Sequence, residues 1–442
     1  MLSLFQHLLT VEFFQQLQKE KHRQNNRIYN HAVVMWLMIV QRLQGHGTLE
    51  TAVLELVRGL PSSFWPNPCK RLQEDSNGQK PRLSGNTASY NDARQALPGS
   101  IVEQSFDRTL VQLTEQMSGT VPALGQRAFF YDGTTARTAR TEALCADYPP
   151  GCNQHGEGHF PLIRMVVAHD LHTGLAMRPE WGPVYGPQAV SEQALMERSM
   201  DRLPNGSVVV YDANSCFSVA YAADQRGHGV VLRLTEARAQ RLLGGPLRDE
   251  IDRHLVWKPS RDDRKSHPQL PADAAVAGRL IVRRVQPSDG SEAFRLALFT
   301  TLEAEVDPVV SLYGGRWNIE TDLRSLKGTL ELEQLTCTTT EMVAKELNLA
   351  MLAYNLVRAM TYQAAQKSGL PPRAFSFTRV RNVIRAFGPL IAAAQDEQEA
   401  QELCEKMMYY VGQAKLPQRR ERRTSYPRAV WGRPQTFPRR KA

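Results

Sequence analysis

The chain has 442 residues, 42% of them hydrophobic and 22% charged, with a net charge of +9 and a mean hydropathy of −0.40. That is an ordinary balance for a soluble protein, and the length allows two or three domains with a substantial core. No apolar run approaches the roughly 18 residues of a membrane span, and six scattered cysteines without a CxxC pair suit a reducing cytoplasm.

The start, "MLSLFQHLLTVEFFQQLQKEKHRQNN", lacks the basic segment, long apolar run and small-residue site of a signal peptide, so it reads as a helix of the mature protein. Residues 1–121 are expected to form an all-helical domain. "TVEFFQQLQKEKHRQNN", "HAVVMWLMIVQRLQ", "TLETAVLELVRGL" and "IVEQSFDRTLVQLTEQMS" each repeat apolar residues at i, i+3 and i+4. A polar connector with several cations, residues 61–87, interrupts them.

After Pro122 the pattern changes. "RAFFYDGT", "FPLIRMVVAHDL" and "GLAMRPEWG" read as strands, "SEQALMERSMDRL" as a helix, "SVVVYDAN" as a buried strand and "FSVAYAADQRG" as a helix. That order predicts an α/β layer with a mixed sheet over 122–227. Residues 228–306 return to strand-like pieces and read as a mostly β insertion. Over 307–395 the core resumes with "LYGGRWNIETDLRSLKGTLELEQL", read as one amphipathic helix from Leu312 to Leu335, and a second long helix rich in Ala and Leu follows. Residues 396–442 read as a further helix and a basic tail. Within 415–442, ten Lys/Arg stand against one Glu, as much net charge as the whole chain carries. Such a tail either binds polyanions by neutralising phosphates or serves as a solubilising end.

The chemistry is expected from acids on separate elements. Asp132 follows "RAFFY" and Asp212 follows "SVVVY", so each would emerge at the carboxyl edge of a sheet, where ligands bind in open α/β folds. Alone, a strand-end Asp is commonly a turn residue. Glu320 adds a third carboxylate from the opening of the 312–335 helix. At about 100° per residue, Tyr313, Arg316, Glu320, Arg324 and Lys327 share one stripe, beside an apolar stripe of Leu312, Ile319, Leu323, Leu326 and Leu330. The stripe is either the rim of a cleft or a surface face carrying ion pairs. Asp322 points about half a turn away from it. Asp132, Asp212 and Glu320 together would cage two Mg²⁺ or Mn²⁺ ions, which take oxygen ligands. Arg316, Arg324 and Lys327 would hold a substrate's phosphate backbone.

Tyr313, Arg316, Glu320 and Lys327 match Y-(2)-R-(3)-E-(6)-K, and the chain thereby resembles the insertion-sequence-four family of bacterial DDE transposases. Asp-Gly-Thr at 132–134 and "VVVYDAN" resemble that family's two other acidic motifs, although "DANSCF" departs from the more usual Asp-Arg after the second strand and leaves the role of Asn214 open. "TASYNDARQALP" and "YPRAVWGRPQTFPRR" are similar as well. The resemblance implies an RNase H-like core interrupted by a β insertion, and a transposase that binds terminal inverted repeats. It implies cutting and rejoining of double-stranded DNA with Asp132, Asp212 and Glu320 as catalytic metal ligands, by cut-and-paste chemistry with or without a hairpin. A homodimer holding two ends, working in a bacterial cytoplasm on nucleoid DNA, is implied too. A binding-only descendant and a nuclease without strand transfer are the alternatives.

Two further features stand beside this reading. Trp257, with Lys258, would stack on a displaced base according to the resemblance, or else Trp257 packs the core of the insertion. Cys145, Cys152, His155 and His159 have an unusual spacing for zinc, and the segment is expected to be a polar loop rather than a zinc site.

Overall fold

The computed structural model of the chain describes residues 1–21, 28–45, 47–66, 68–73, 83–121, 124–154, 156–212, 216–286 and 292–416. The basic tail from 417 onward, Asn214, His155 and residues 74–82 of the connector lie outside them. Packing divides the chain into two compact units. One consists of Met1–Ser118 with Arg324–Leu416, and the other is built on Gly119–Leu323.

The first unit is helical. Its spine is Thr340–Ser368, a 29-residue helix whose Leu347, Ala350, Met351, Tyr354 and Val357 are all buried. A helix enclosed around its circumference needs neighbours on every side. His31–Gln44, Gly99–Gln116, Phe377–Ala392 and Glu397–Gly412 supply them. Charge inside this core is paired, as burial demands. Glu346 accepts from Arg42 at 2.6 Å and from Arg94 at 2.9 Å, and the Lys345 ammonium donates to the Gln95 carbonyl at 2.8 Å.

The second unit holds one nine-stranded sheet. Its strands are β1 (Thr120–Val121), β2 (Gln126–Arg137), β3 (Leu162–Asp170), β4 (Glu180–Pro183), β5 (Val208–Tyr211), β6 (Gly229–Arg233), β7 (Ile251–Trp257), β8 (Val276–Val285) and β9 (Phe294–Thr300). Across the sheet the order is β4-β3-β2-β5-β6-β9-β8-β7, with β1 paired to the start of β2. The central strands β2, β5 and β6 run parallel, and antiparallel strands extend the sheet on both sides. Parallel strands are covered on both faces and therefore read as unbroken apolar runs. "FFY" of β2 and "VVVY" of β5 are such runs and are fully buried. The β-rich 228–306 segment continues this sheet, with Phe299 of β9 opposite Leu232 of β6.

The stretch from Leu312 to Leu335 departs from the single helix expected. One helix spans Val306–Gly314, a second spans Trp317–Arg324, and a π-helical turn covers Ser325–Thr329. Between the two helices the chain tightens, the Arg316 N–H bonding to the Tyr313 carbonyl and the Ile319 N–H to the Arg316 carbonyl, both at 3.0 Å. Gly314 and Gly315 explain the break, since glycine supports a helix interior poorly. Gly315 has a second role, because a Cβ there would lie 2.8 Å from the Leu171 side chain and 3.5 Å from Phe130. The missing side chain lets the helix approach the core of its own unit. The apolar stripe survives the break, with Leu312, Ile319, Leu323, Leu326 and Leu330 all buried.

Trp257 is 3% exposed, with ring centroids 5.8 Å from Phe217 and 4.9 Å from Phe299, both in edge-on contact. The indole is thus enclosed by two phenyl rings, the packing arrangement. Lys258, the next residue, is exposed. Trp257→Ala should cost about 3–5 kcal/mol of stability, the usual penalty for emptying a buried aromatic site. A urea melt checks this, and an unshifted midpoint would contradict the packing.

Candidate active site

Strand register places the first two acids. β2 and β5 pair in parallel with Phe130 opposite Val210, and the same register carried two residues further sets Asp132 level with Asp212. Asp212 follows the last residue of β5. Asp132 does not end β2, contrary to expectation. The β-branched Thr134 and Thr135 carry that strand on to Arg137 against β3, so Asp132 lies where the cover of β5 stops.

The Asp132 carboxyl is pushed up to about 6, first by burial and then by the Glu192 and Asp212 carboxylates. The Gly133 N–H, donating to it at 2.9 Å, and the Arg316 guanidinium act in the opposite direction. Glu192 was not among the residues expected from the sequence. It opens the Glu192–Met200 helix behind its N-cap Ser191, and an acid there reads as an ordinary helix-start residue. In the fold its Oε1 accepts from the Tyr211 hydroxyl at 2.6 Å. Burial, followed by that bond, holds the Tyr211 phenol well above its usual range.

The Val306–Gly314 and Trp317–Arg324 helices bring the remaining polar groups. Tyr313 is 7% exposed, and its buried hydroxyl lies beside Arg233 without a well-formed hydrogen bond. Burial raises its phenol, and the Arg316 and Arg233 charges oppose the shift. Arg316 donates to the Glu320 Oε1 at 3.3 Å, both side chains being partly exposed. Arg233 closes β6 next to Leu232, which is level with Tyr211, so this cation flanks Asp212. Sequence reading passed over it because an Arg at a strand end carries no local signal.

Asp132, Asp212, Tyr313, Arg316 and Glu320 thus belong to the sheet unit, and the Arg316 charge acts on Asp132, Tyr313 and Glu320. Arg324 and Lys327 fall beyond Leu323 in the helical unit, with Lys327 on the π turn rather than a regular helix. Lys258 follows the edge strand β7 and meets none of these groups among the described contacts.

The donor chemistry suits a hard divalent cation, because all the acids offer oxygen and Asp132 is strained by like charges that a cation would relieve. The geometry is incomplete. Among the described residues no three His, Cys, Asp or Glu side chains converge closely enough to hold a metal ion. Cys145 and Cys152 are free thiols.

Asp322 points away from the polar stripe and into protein. It is 0% exposed, with Oδ2 3.7 Å from Nδ1 of the equally buried His169 on β3. That contact pins the Glu320 helix to the strand beside β2. Asp322→Asn should lower stability by about 1–3 kcal/mol, the range for disturbing a buried polar pair. Chemical denaturation reads it, and an unchanged midpoint would mean the pair contributes nothing.

Residues 123–356 match the Transposase DDE domain family. The transposase InsG for insertion sequence element IS4 of Escherichia coli (strain K12) is 25% identical over 356 residues, covering 78% of this chain and 76% of that one. With more than half of its length matched by the family, and with two acids level on adjacent parallel strands, the chain belongs to the DDE transposases, of the insertion-sequence-four type.

Proposed function

We propose that this transposase binds the terminal inverted repeats of its element through the helical segment 1–121, cuts the DNA at each end, and joins the freed 3′-hydroxyl to target DNA. The observation that carries the reading is the level placement of Asp132 and Asp212, with the Arg316–Glu320 pair drawn to them from the Trp317–Arg324 side. The β4-β3-β2-β5-β6 portion would be the RNase H-like core that the resemblance implies, and 228–306 its β insertion. Two ends to process favour a homodimer in the synaptic complex, acting on nucleoid DNA in the bacterial cytoplasm.

Asp132 and Asp212 would hold Mg²⁺ or Mn²⁺, and Glu320 would join them once it leaves Arg316. The bound ions would activate the attacking oxygen and stabilise the leaving one. A phosphate competes well for Arg316, because a guanidinium grips phosphate through two parallel bonds. Substrate would therefore draw Arg316 off Glu320 and complete the acidic set in one movement. Tyr313, which is buried, and the half-buried Arg233 beside Asp212 would brace the phosphate next to the cut. Arg324 and Lys327 would contribute backbone contacts, and Lys258 a more distant one.

Glu320→Gln, Asp132→Asn and Asp212→Asn should each abolish cleavage and joining while end binding persists. Arg316→Ala and Lys327→Ala should slow cleavage by about two to three orders of magnitude, as loss of a positioning group does. A labelled duplex carrying the element's own ends, run on a gel after incubation with Mg²⁺, separates bound, nicked, hairpin and joined products. Full activity in Glu320→Gln would end the catalytic reading, and nicks without joined products would leave a nuclease.

The raised Asp132 carboxyl makes the reaction depend on pH in a fixed direction. It is neutral below about 6 and charged above, and only the charged form binds a cation. The Mn²⁺ concentration for half-maximal cleavage should therefore climb as pH falls through about 6 and level off near neutrality. A half-saturating concentration constant across that range would contradict the assignment.

A further inference from the structure

Glu192 lies where an ordinary helix-start acid would not. Its carboxylate bridges the chain neighbours of both aspartates. Oε1 takes the hydroxyl of Tyr211, the residue before Asp212, at 2.6 Å. Oε2 rests over Gly133, the residue after Asp132, so closely that a Cβ at 133 would sit 2.4 Å from it. The glycine of Asp-Gly-Thr is thus explained by space for this carboxylate, since no positive φ is required there. A free helix N-terminus would turn such an acid toward water. Here a buried tyrosine hydroxyl and a missing side chain hold it half-buried against two other negative groups, an arrangement that is costly until a cation arrives.

We propose that Glu192 is a positioning residue of the cleavage centre, one that fixes the spacing of Asp132 and Asp212 and adds the negative charge that strengthens their hold on a divalent cation. The inference rests on the transposase reading above. Glu192 acts through its neighbours: the tether to Tyr211 orders the end of β5, and contact with Gly133 orders β2 where Asp132 leaves the cover of β5. Partners just outside a set of ligands typically govern metal affinity by about 10–100-fold.

The test uses the full-length chain and Mn²⁺ alone, with bound and free ion measured by electron paramagnetic resonance, and then single-turnover cleavage of the end duplex over a range of Mn²⁺. Glu192→Gln keeps the volume and removes the charge. It should weaken Mn²⁺ binding about tenfold and raise the half-saturating Mn²⁺ for cleavage in parallel, with most of the rate returning at excess metal. Asp132→Asn, by contrast, should stay inactive at any metal concentration. Tyr211→Phe, which loosens the tether but leaves the charge, should shift both quantities in the same direction by a smaller factor. Mn²⁺ affinity within about twofold of wild type in a folded Glu192→Gln protein would overturn the proposal, as would a rate that excess metal does not restore. Should Glu192→Gln fail the circular dichroism check, an unchanged affinity in Tyr211→Phe overturns it instead. A wild-type chain that binds Mn²⁺ yet leaves the duplex uncut removes the transposase reading alone. Wild-type cleavage with Mn²⁺ affinity independent of Glu192 removes only this inference.

Discussion

Burial of the Asp132 carboxyl beside other carboxylates is the constraint around which the polar groups at β2 and β5 are arranged. Burial penalises the charged form of Asp132 and the Glu192 and Asp212 carboxylates add to that, so its carboxyl rises to about 6. The Gly133 N–H answers part of the charge at 2.9 Å, and the Arg316 guanidinium answers more from the neighbouring helix. Arg233 closes the other flank beside Asp212. A site balanced in this way holds negative charge in excess of its nearby cations, which is the condition for attracting a metal ion.

At the break between the two helices, Leu171 and Phe130 occupy the space that a side chain at 315 would need. Glycine there lets the turn press onto the sheet at the strand that carries Asp132. Arg316 then leaves the tight turn next to the acids, and its bond to Glu320 spans one turn of the following helix. Asp322, two residues further on, is drawn inward to His169 on β3. The second helix is therefore tied to the sheet from both of its sides, polar groups on one and a buried pair on the other.

The helical unit solves a simpler problem. Its long Thr340–Ser368 spine buries charges as well as leucines, and each of those charges has partners at hydrogen-bond distance, with Glu346 between Arg42 and Arg94 as the clearest case. Removing one partner from such a cluster leaves an uncompensated charge in a medium that solvates it poorly. This core is accordingly specified by polar geometry as much as by apolar volume.

The sequence by itself determined the features that rest on local pattern. Apolar runs in "FFY" and "VVVY" marked the buried parallel strands, i, i+3, i+4 spacing marked the helices, and the spacing of Tyr313, Arg316 and Glu320 marked a polar edge beside a leucine stripe that is indeed buried. Asp132 and Asp212 were legible because each follows such a run. Only the tertiary structure decided what depends on partners distant in the chain. The register of β2 on β5 made the two acids neighbours. Gly133 and Tyr211 gave Glu192 a place among them, 59 residues beyond Gly133 and 19 before Tyr211. Phe217 and Phe299 closed over Trp257, and His169 met an aspartate that helical periodicity had placed half a turn from the polar stripe. Periodicity reports which way a side chain leaves its own element. Whether it then meets water, core or another charge is set by long-range packing, which no local spacing encodes.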